Sequence, residues 1–148
     1  MSLETDMRYA FASPGWIAFM HGLVVERVRR LCEEVPDISW SICEVFTAPP
    51  PELSPNGAPL AWHCIVGAGA VTFGASERDD VDFKVVVDYD AVLPLGRYDT
   101  QGKQERVQEL SQMSQALIRD GQMRVIGDRT KRDPRVGDFH DIIARVTA

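Results

Sequence analysis

Acid–base, nucleophilic or metal chemistry in this sequence would have to start from its histidines and cysteines. The histidines are His21, His63 and His140, and none has the HxxxH or HExxH spacing that brings two imidazoles to one zinc ion. His63 and Cys64 are adjacent, so on a strand they point to opposite faces and cannot form a nucleophile–base pair. A histidine brought to Cys64 by folding stays open as an alternative. We interpret each histidine as structural or superficial, and predict no catalytic residue, no metal site and no cofactor.

Two short patterns are similar to ligand loops but lack parts that those loops need. Asp79, Asp80 and Asp82 supply carboxylates, yet the glycine and terminal glutamate of a twelve-residue calcium loop are missing. The Gly67–Gly69 turn lacks a third glycine and leads into another strand, whereas a dinucleotide loop leads into a helix. We therefore interpret both as turns between strands.

Charge and composition argue against two classes of partner. The 148 residues carry 22 acidic and 16 basic side chains, a net charge of -6, with no basic block of the kind that nucleic acid requires. The most basic run, Arg129–Arg135, is interrupted by Asp133 and is typical of a solvated loop. No stretch approaches the roughly 18 uninterrupted apolar residues of a membrane-spanning helix. We predict neither nucleic-acid binding nor stable membrane insertion.

The cysteines and the N-terminal segment indicate a reducing compartment. Cys32, Cys43 and Cys64 are odd in number and have no CxxC spacing, which argues against a disulfide framework. The N-terminal segment lacks the charged-then-apolar pattern of a secretion signal, and Met1–Leu3 is typical of a residual cloning sequence. We predict a cytoplasmic protein with an N-terminal arm over residues 1–12 and a single domain over residues 13–148.

Apolar residues spaced by three and four predict the helices. The longest begins at Ser13, a good N-cap, with Pro14 in its first turn, and runs to about Glu34. Its apolar stripe contains Trp16, Met20, Leu23, Val24, Val28 and Leu31. The other predicted helices span 90–95, capped by Asp90, and 104–119, and a last one starts at Asp133-Pro134.

Alternation of apolar and polar residues predicts the strands. Val81, Phe83, Val85 and Val87 share one face of the cleanest example. In the first strand the phase blurs after Glu44, which indicates a bulge or an edge position. Short turns predict that the second, third and fourth strands are antiparallel neighbours. The predicted strands span 38–48, 60–66, 70–75, 81–89 and 123–126.

The predicted order, α-β-β-β-β-α-α-β-α, is typical of an α+β domain. In such a domain helices pack on one face of a sheet, here five-stranded and mostly antiparallel. The Pro49–Pro59 loop is interpreted as an irregular connector, with a lid as the alternative. Helix 104–119 has only a thin apolar stripe, so we expect it to dock loosely and to wall or gate a cavity. That stripe contains Val107, Leu110, Met113 or Ser114, and Leu117.

Five short pieces follow one pattern along the chain. They are Trp62, Gly69–Gly74 (GAVTFG), Asp80–Val85 (DVDFKV), Leu95-Gly96 and Asp120–Asp128 (DGQMRVIGD). The Gly-to-Gly-Asp pattern of the last piece is the most specific. Together with the opening helix, these pieces resemble the sterol carrier protein-2-like domain family, and the resemblance runs from about Ser13 to the end.

The resemblance implies a five-stranded sheet covered by helices, an apolar tunnel, and no catalysis. The tunnel would bind or transfer an apolar small molecule or lipid, namely a sterol, a fatty acid or an acyl derivative. Flexible and aromatic side chains adapt to irregular apolar ligands, although the same side chains would also fill an ordinary core. The predicted ligand-binding residues are Val71, Phe73, Phe83 and Val85 on the sheet, Met113 and Leu117 on helix 104–119, and Phe139 and Ile143 on the last helix.

Two other functions stay open. A small isomerase or hydratase on a curved α+β sheet would need a carboxylate or imidazole with a shifted pKa in its pocket, and Asp82, Asp88 and His63 are the candidates. Asp82 and Asp88 share the polar face of their strand, which argues against their burial. An interaction or accessory module would use the exposed sheet face or the first helix, with a homodimer as one form of it.

Overall fold

The computed structural model describes residues 8–128 and 139–148, which form four helices and five strands in the predicted order. The predicted start of the last helix at Asp133-Pro134 lies outside the described residues. No helix in the described ranges combines the length and apolar character needed to cross a membrane. The elements are α1 (Pro14–Glu34), β1 (Trp40–Thr47), β2 (Leu60–Gly67), β3 (Ala70–Gly74), β4 (Phe83–Asp88), α2 (Tyr89–Gly96), α3 (Gln104–Arg119), β5 (Met123–Gly127) and α4 (Phe139–Arg145).

Local signals set both ends of α1, as predicted. The Ser13 hydroxyl accepts a hydrogen bond from the Trp16 amide at 3.3 Å, and Pro14 occupies the first turn, where its missing N–H costs nothing. The helix ends at Glu34, just before Val35-Pro36, because proline disfavours a helical residue ahead of it. The buried side of α1 consists of Trp16, Met20, Val24 and Val28.

The five strands form one sheet in the order β3-β2-β1-β4-β5. β1 pairs in parallel with β4, and the other three pairs are antiparallel. The fold class is therefore confirmed as α+β with a mostly antiparallel sheet. The prediction that the third and fourth strands are neighbours was wrong, because residues 75–82 do not form a hairpin turn. They carry the chain across β2 and β1 to the far side of β1.

Polar side chains on the outer face of the sheet hold this crossing segment. Asp82 accepts from the Ser41 amide at 2.9 Å, and the Asp82 amide donates to the Ser41 hydroxyl at 2.7 Å. His63 Nδ1 lies 2.8 Å from the Ser76 carbonyl oxygen. The ammonium of Lys84 binds the carboxylates of two residues of the segment, Glu77 and Asp79. A sequence pattern of strand and turn indicates none of these bonds.

The predicted bulge or edge position in β1 was also wrong. β1 is the central strand, and its register with β2 and β4 continues without a break past Glu44. The phase blurs in the sequence because the outer face is apolar here too: Cys43 and Val45 are both buried on it. Glu44 itself lies on the inner face, the face that carries Trp40 and Ile42.

The cap of α2 differs in detail from the prediction. Asp88, two residues before the predicted Asp90, caps α2, with its carboxylate 3.0 Å from the Ala91 amide. The segment ahead of α1 packs into the domain: Phe11 is buried, and its carbonyl accepts from the Tyr89 hydroxyl at 2.7 Å.

Gly127, at the end of β5, provides a test of the β4–β5 pairing. Its φ is +94°, and a Cβ there would overlap the Asp82 carbonyl oxygen and lie 3.1 Å from Phe83 Cα. We expect Gly127→Ala to lower the free energy of unfolding by about 2 kcal/mol or more, measured by urea denaturation. Gly22→Ala is the matched control, since nothing lies within 4 Å of its added Cβ and helix propensity favours alanine by roughly 0.5–1 kcal/mol. Equal stability of the two variants would contradict the close approach.

Candidate ligand cavity

The helices lie over the inner face of the sheet and are supported at its two edges. α1 contacts β3 at one edge, α3 contacts β5 at the other, and α2 packs on β4 and contacts both α3 and α4. The sheet therefore has support for its covering layer at both rims. Strand alternation and register place these inner-face residues under that layer: Trp40, Ile42, Glu44, Phe46, Leu60, Trp62, Cys64, Val66, Val71, Phe73, Phe83, Val85, Val87, Met123 and Val125.

A cavity of about 360 Å³ lies between this face and the helices. All four helices, four of the strands (β1, β2, β4 and β5) and Phe11 contribute to its wall. The volume falls at the lower end of the roughly 300–1,000 Å³ of small-molecule sites. Nearly all of the described side chains in the wall are apolar; the polar ones besides tryptophan are Glu44, Ser114 and His140.

Four of the predicted ligand-binding residues lie in this wall. Phe83 and Val85 reach it from the centre of the sheet, and Phe139 and Ile143 reach it from α4. These pairs occupy opposite sides of the cavity, so they can contact one molecule from two directions.

The other four predicted residues lie outside this wall. Met113, Leu117 and Val71 are half-buried and pack against the core. Phe73 lies on the inner face but belongs to a second hollow of about 470 Å³ between α1, the irregular Pro49–Pro59 connector, β2 and β3. Val71 and Phe73 lie outside the wall because β3 is an edge strand, separated from the cavity by β2.

The α3 helix contributes a different pair of residues from the predicted pair. Leu110 and Ser114, one turn apart, line the cavity, and the Ser114 hydroxyl lies 3.9 Å from Met123 Sδ. None of the α3 side chains is fully buried, and Val107, part of the predicted stripe, is 48% exposed. The thin apolar stripe in the sequence therefore corresponds to a helix that covers the cavity while burying little of its own surface.

Stacked rings separate the cavity from the second hollow. Phe73 stacks on Trp62 with ring centroids 5.7 Å apart, and on its other side His21 stacks on Phe73 at 4.6 Å. Trp62 belongs to the cavity wall, whereas Phe73 and His21 belong to the hollow. His21 is therefore an exposed side chain whose ring packs on an aromatic neighbour.

Of the other residues considered for catalysis, His140 lines the cavity, whereas His63, Cys64, Asp82 and Asp88 do not. His63 and Cys64 point to opposite faces, as predicted, and burial raises the pKa of the Cys64 thiol to about 12, so the thiol stays protonated. Asp82 is bonded to Ser41 in the crossing segment, and Asp88 caps α2. We therefore assign structural roles, and no catalytic role, to these four side chains.

Three tryptophans line the cavity, and their indole N–H groups differ in a way that no sequence pattern indicates. Trp16 Nε1 donates to the Thr147 hydroxyl at 3.0 Å. The Nε1 atoms of Trp40 and Trp62 are shielded from water and have no hydrogen-bond partner among the described residues. Buried tryptophans usually find an acceptor, so two unpaired indoles in one wall are an unusual feature.

Hydrogen bonds anchor α4 beside the cavity. Both carboxylate oxygens of Asp141 accept from Thr100, at 2.8 Å from its amide and 2.6 Å from its hydroxyl. Burial opposes ionisation of Asp141, but the two bonds from Thr100 outweigh it and lower the pKa of the carboxyl. The neighbouring His140 places Nε2 2.7 Å from the Tyr98 carbonyl oxygen, so this nitrogen carries the proton.

The chain is similar to several solved structures. Crystalline sterol carrier protein 2 superposes with a TM-score of 0.53 at 12% identity, over 93% of this chain and 99% of that one. A UbiJ-SCP2 ubiquinone synthesis protein gives 0.45 at 18% identity, over 92% and 96%. Apo sterol carrier protein 2 from Yarrowia lipolytica gives 0.43 at 13%, over 83% and 78%. No family model and no curated protein matches the sequence.

The Thr100–Asp141 anchor predicts a dependence of stability on pH. A carboxyl with a lowered pKa in the folded state stabilises the protein above its unfolded value of about 3.9, and this contribution is lost as pH falls through the folded pKa. Thr100→Val removes the hydroxyl donor, so we expect its deficit in unfolding free energy to be larger at pH 7 than at pH 3. Thr100→Ser keeps the donor and serves as the control in urea titrations at both pH values. A deficit of equal size at both would rule out this contribution.

Proposed function

We propose that this chain, which has the sterol carrier protein-2-like fold, binds an apolar molecule in the cavity between sheet and helices and carries it without chemical change. A sterol, a fatty acid or an acyl derivative is the proposed class of ligand. The observation that carries the proposal is the cavity itself, about 360 Å³ of space between sheet and helices that is lined mostly by apolar side chains. An apolar molecule that fills this cavity makes new van der Waals contacts with its wall, and these contacts favour binding.

Affinity would come from the apolar surface that the ligand removes from water. At about 25 cal/mol per Å², each 100 Å² of buried apolar surface contributes roughly 2.5 kcal/mol before the entropy of association is subtracted. A ligand that fills this volume therefore suffices for affinity in the micromolar range. Apart from tryptophan, few polar groups in the wall are described, so shape and apolar contact provide most of this energy.

Entry of the ligand would be easiest beneath α3. This helix has no fully buried side chain, and its apolar Val107 and Ile118 are exposed, so a small displacement costs little buried surface. Leu110 and Ser114 would move with it and open the wall of the cavity. We propose α3 as the gate on this ground.

The isomerase or hydratase alternative lacks support from the site. Its three candidates, Asp82, Asp88 and His63, are engaged in bonds that hold the crossing segment or α2, away from the cavity.

A cytoplasmic location is part of the proposal, supported by Cys32, Cys43 and Cys64, which are all free thiols.

Filling the cavity from α3 tests the proposal. Ser114→Phe adds a ring to the wall, and because α3 buries little surface, we expect the fold to survive. Saturable binding of a fluorescent fatty acid or of dehydroergosterol should weaken by about tenfold or more. Gln115→Phe, on the exposed side of the same helix, adds the same ring away from the cavity and should bind as the unmodified protein does.

Circular dichroism and thermal unfolding of both variants confirm that they are folded before binding is compared. Absence of saturable binding to the unmodified protein at micromolar concentration would refute the carrier function. Equal binding by the two variants would show that the ligand binds elsewhere.

A further inference from the structure

Two hydrogen-bond donors without an acceptor lie in the cavity wall. The side chains of Trp40 and Trp62 are 4% and 5% exposed, and neither indole N–H has a partner. Trp16, in the same wall, differs because its indole N–H is bonded to Thr147. Leaving a buried N–H without an acceptor is unfavourable, and no described residue supplies an acceptor to these two indoles.

The partner that each indole N–H lacks must be a hydrogen-bond acceptor. An indole nitrogen donates and cannot accept, so only an oxygen or other acceptor on the ligand can satisfy it. Trp62 stands opposite Glu44 in the β1–β2 register, and Trp40 lies four residues from Glu44 along the same strand, roughly 13 Å away. The two tryptophans are therefore attached at well-separated points of the sheet, and only one of them needs to meet an acceptor on the ligand.

The charge of the wall decides between kinds of acceptor. Its described residues include the carboxyl side chain of Glu44 and no lysine or arginine. A ligand carboxylate would lose its hydration among mostly apolar side chains with no described lysine or arginine beside it, whereas a carbonyl oxygen brings no charge into this space. The wall thus favours a neutral ligand.

We propose that the cavity selects a neutral apolar molecule with a carbonyl-type oxygen, which accepts a hydrogen bond from the indole N–H of Trp40 or Trp62. This inference rests on the proposed function, since it assumes that the cavity is a binding site. Within that function it favours ketones and esters over ionised fatty acids. The tryptophans then set the orientation of the ligand, while the apolar contacts hold it.

Two probes of nearly the same shape test the proposal. Benzophenone carries the carbonyl acceptor, and diphenylmethane has a methylene in its place. Binding of each is measured by titration calorimetry to the unmodified protein, to Trp40→Phe, to Trp62→Phe and to the double variant. We expect at least one variant to bind benzophenone about five- to tenfold more weakly, with less than a twofold change for diphenylmethane. Because diphenylmethane reports the general effect of a smaller ring, damage to packing is separated from loss of the donor.

A spectroscopic readout follows the donors directly. In ¹⁵N-labelled protein, benzophenone should shift the indole N–H resonance of Trp40 or Trp62 downfield. The resonance of Trp16 is the internal control, because its hydrogen already binds Thr147. Diphenylmethane should produce no such downfield shift.

The outcomes separate this inference from the proposed function. If neither probe binds saturably and the fatty acid and sterol probes also fail, the carrier function fails. If both probes bind and the tryptophan variants weaken them equally, the cavity binds ligand but the acceptor inference is overturned. Tighter binding of decanoate than of methyl decanoate at pH 7 would overturn the preference for neutral ligands.

Discussion

The parallel pairing of β1 with β4 is the constraint on which the rest of the structure depends. It makes β1 the central strand and forces the chain after β3 to cross the outer face of β2 and β1. The crossing segment is held there by Ser41, His63 and Lys84, polar residues that project from the face opposite the helices. Because the outer face is committed to this segment, the inner face alone is left for the helices and for a cavity.

The cavity follows from the way in which the helices are supported. α1 rests on one edge of the sheet and α3 on the other, so the space above the central strands depends on α2, α4 and Phe11 to fill it. Their side chains leave about 360 Å³ between themselves and β1, β4 and β5. A close-packed protein would lose dispersion contacts around such a space, which is tolerable if a ligand restores them.

The tryptophans of the wall combine the two requirements of a selective apolar site. Their rings supply apolar area, and their N–H groups supply direction. Trp16 uses its N–H within the fold, on Thr147 near the C-terminus, and so fastens α1 to the last residues of the chain. Trp40 and Trp62 have no described partner for theirs, and for this reason we propose that they orient a ligand.

The sequence by itself determined the type and order of the elements and the sheet–helix class, since the helical and strand periodicities, the Ser13 cap and the Pro36 stop act over a few residues. It also carried the resemblance to the sterol carrier protein-2-like fold, and it placed Phe83, Val85, Phe139 and Ile143 among the residues that line the cavity. Only the tertiary structure decided which strands are neighbours. The bonds that hold Asp82 beside β1 join it to Ser41, 41 positions earlier in the chain, and no local pattern indicates them. The tertiary structure also decided which face α3 turns to the cavity and which indole N–H groups lack an acceptor. Periodicity predicts an apolar stripe, but the partner of each side chain depends on how distant segments pack.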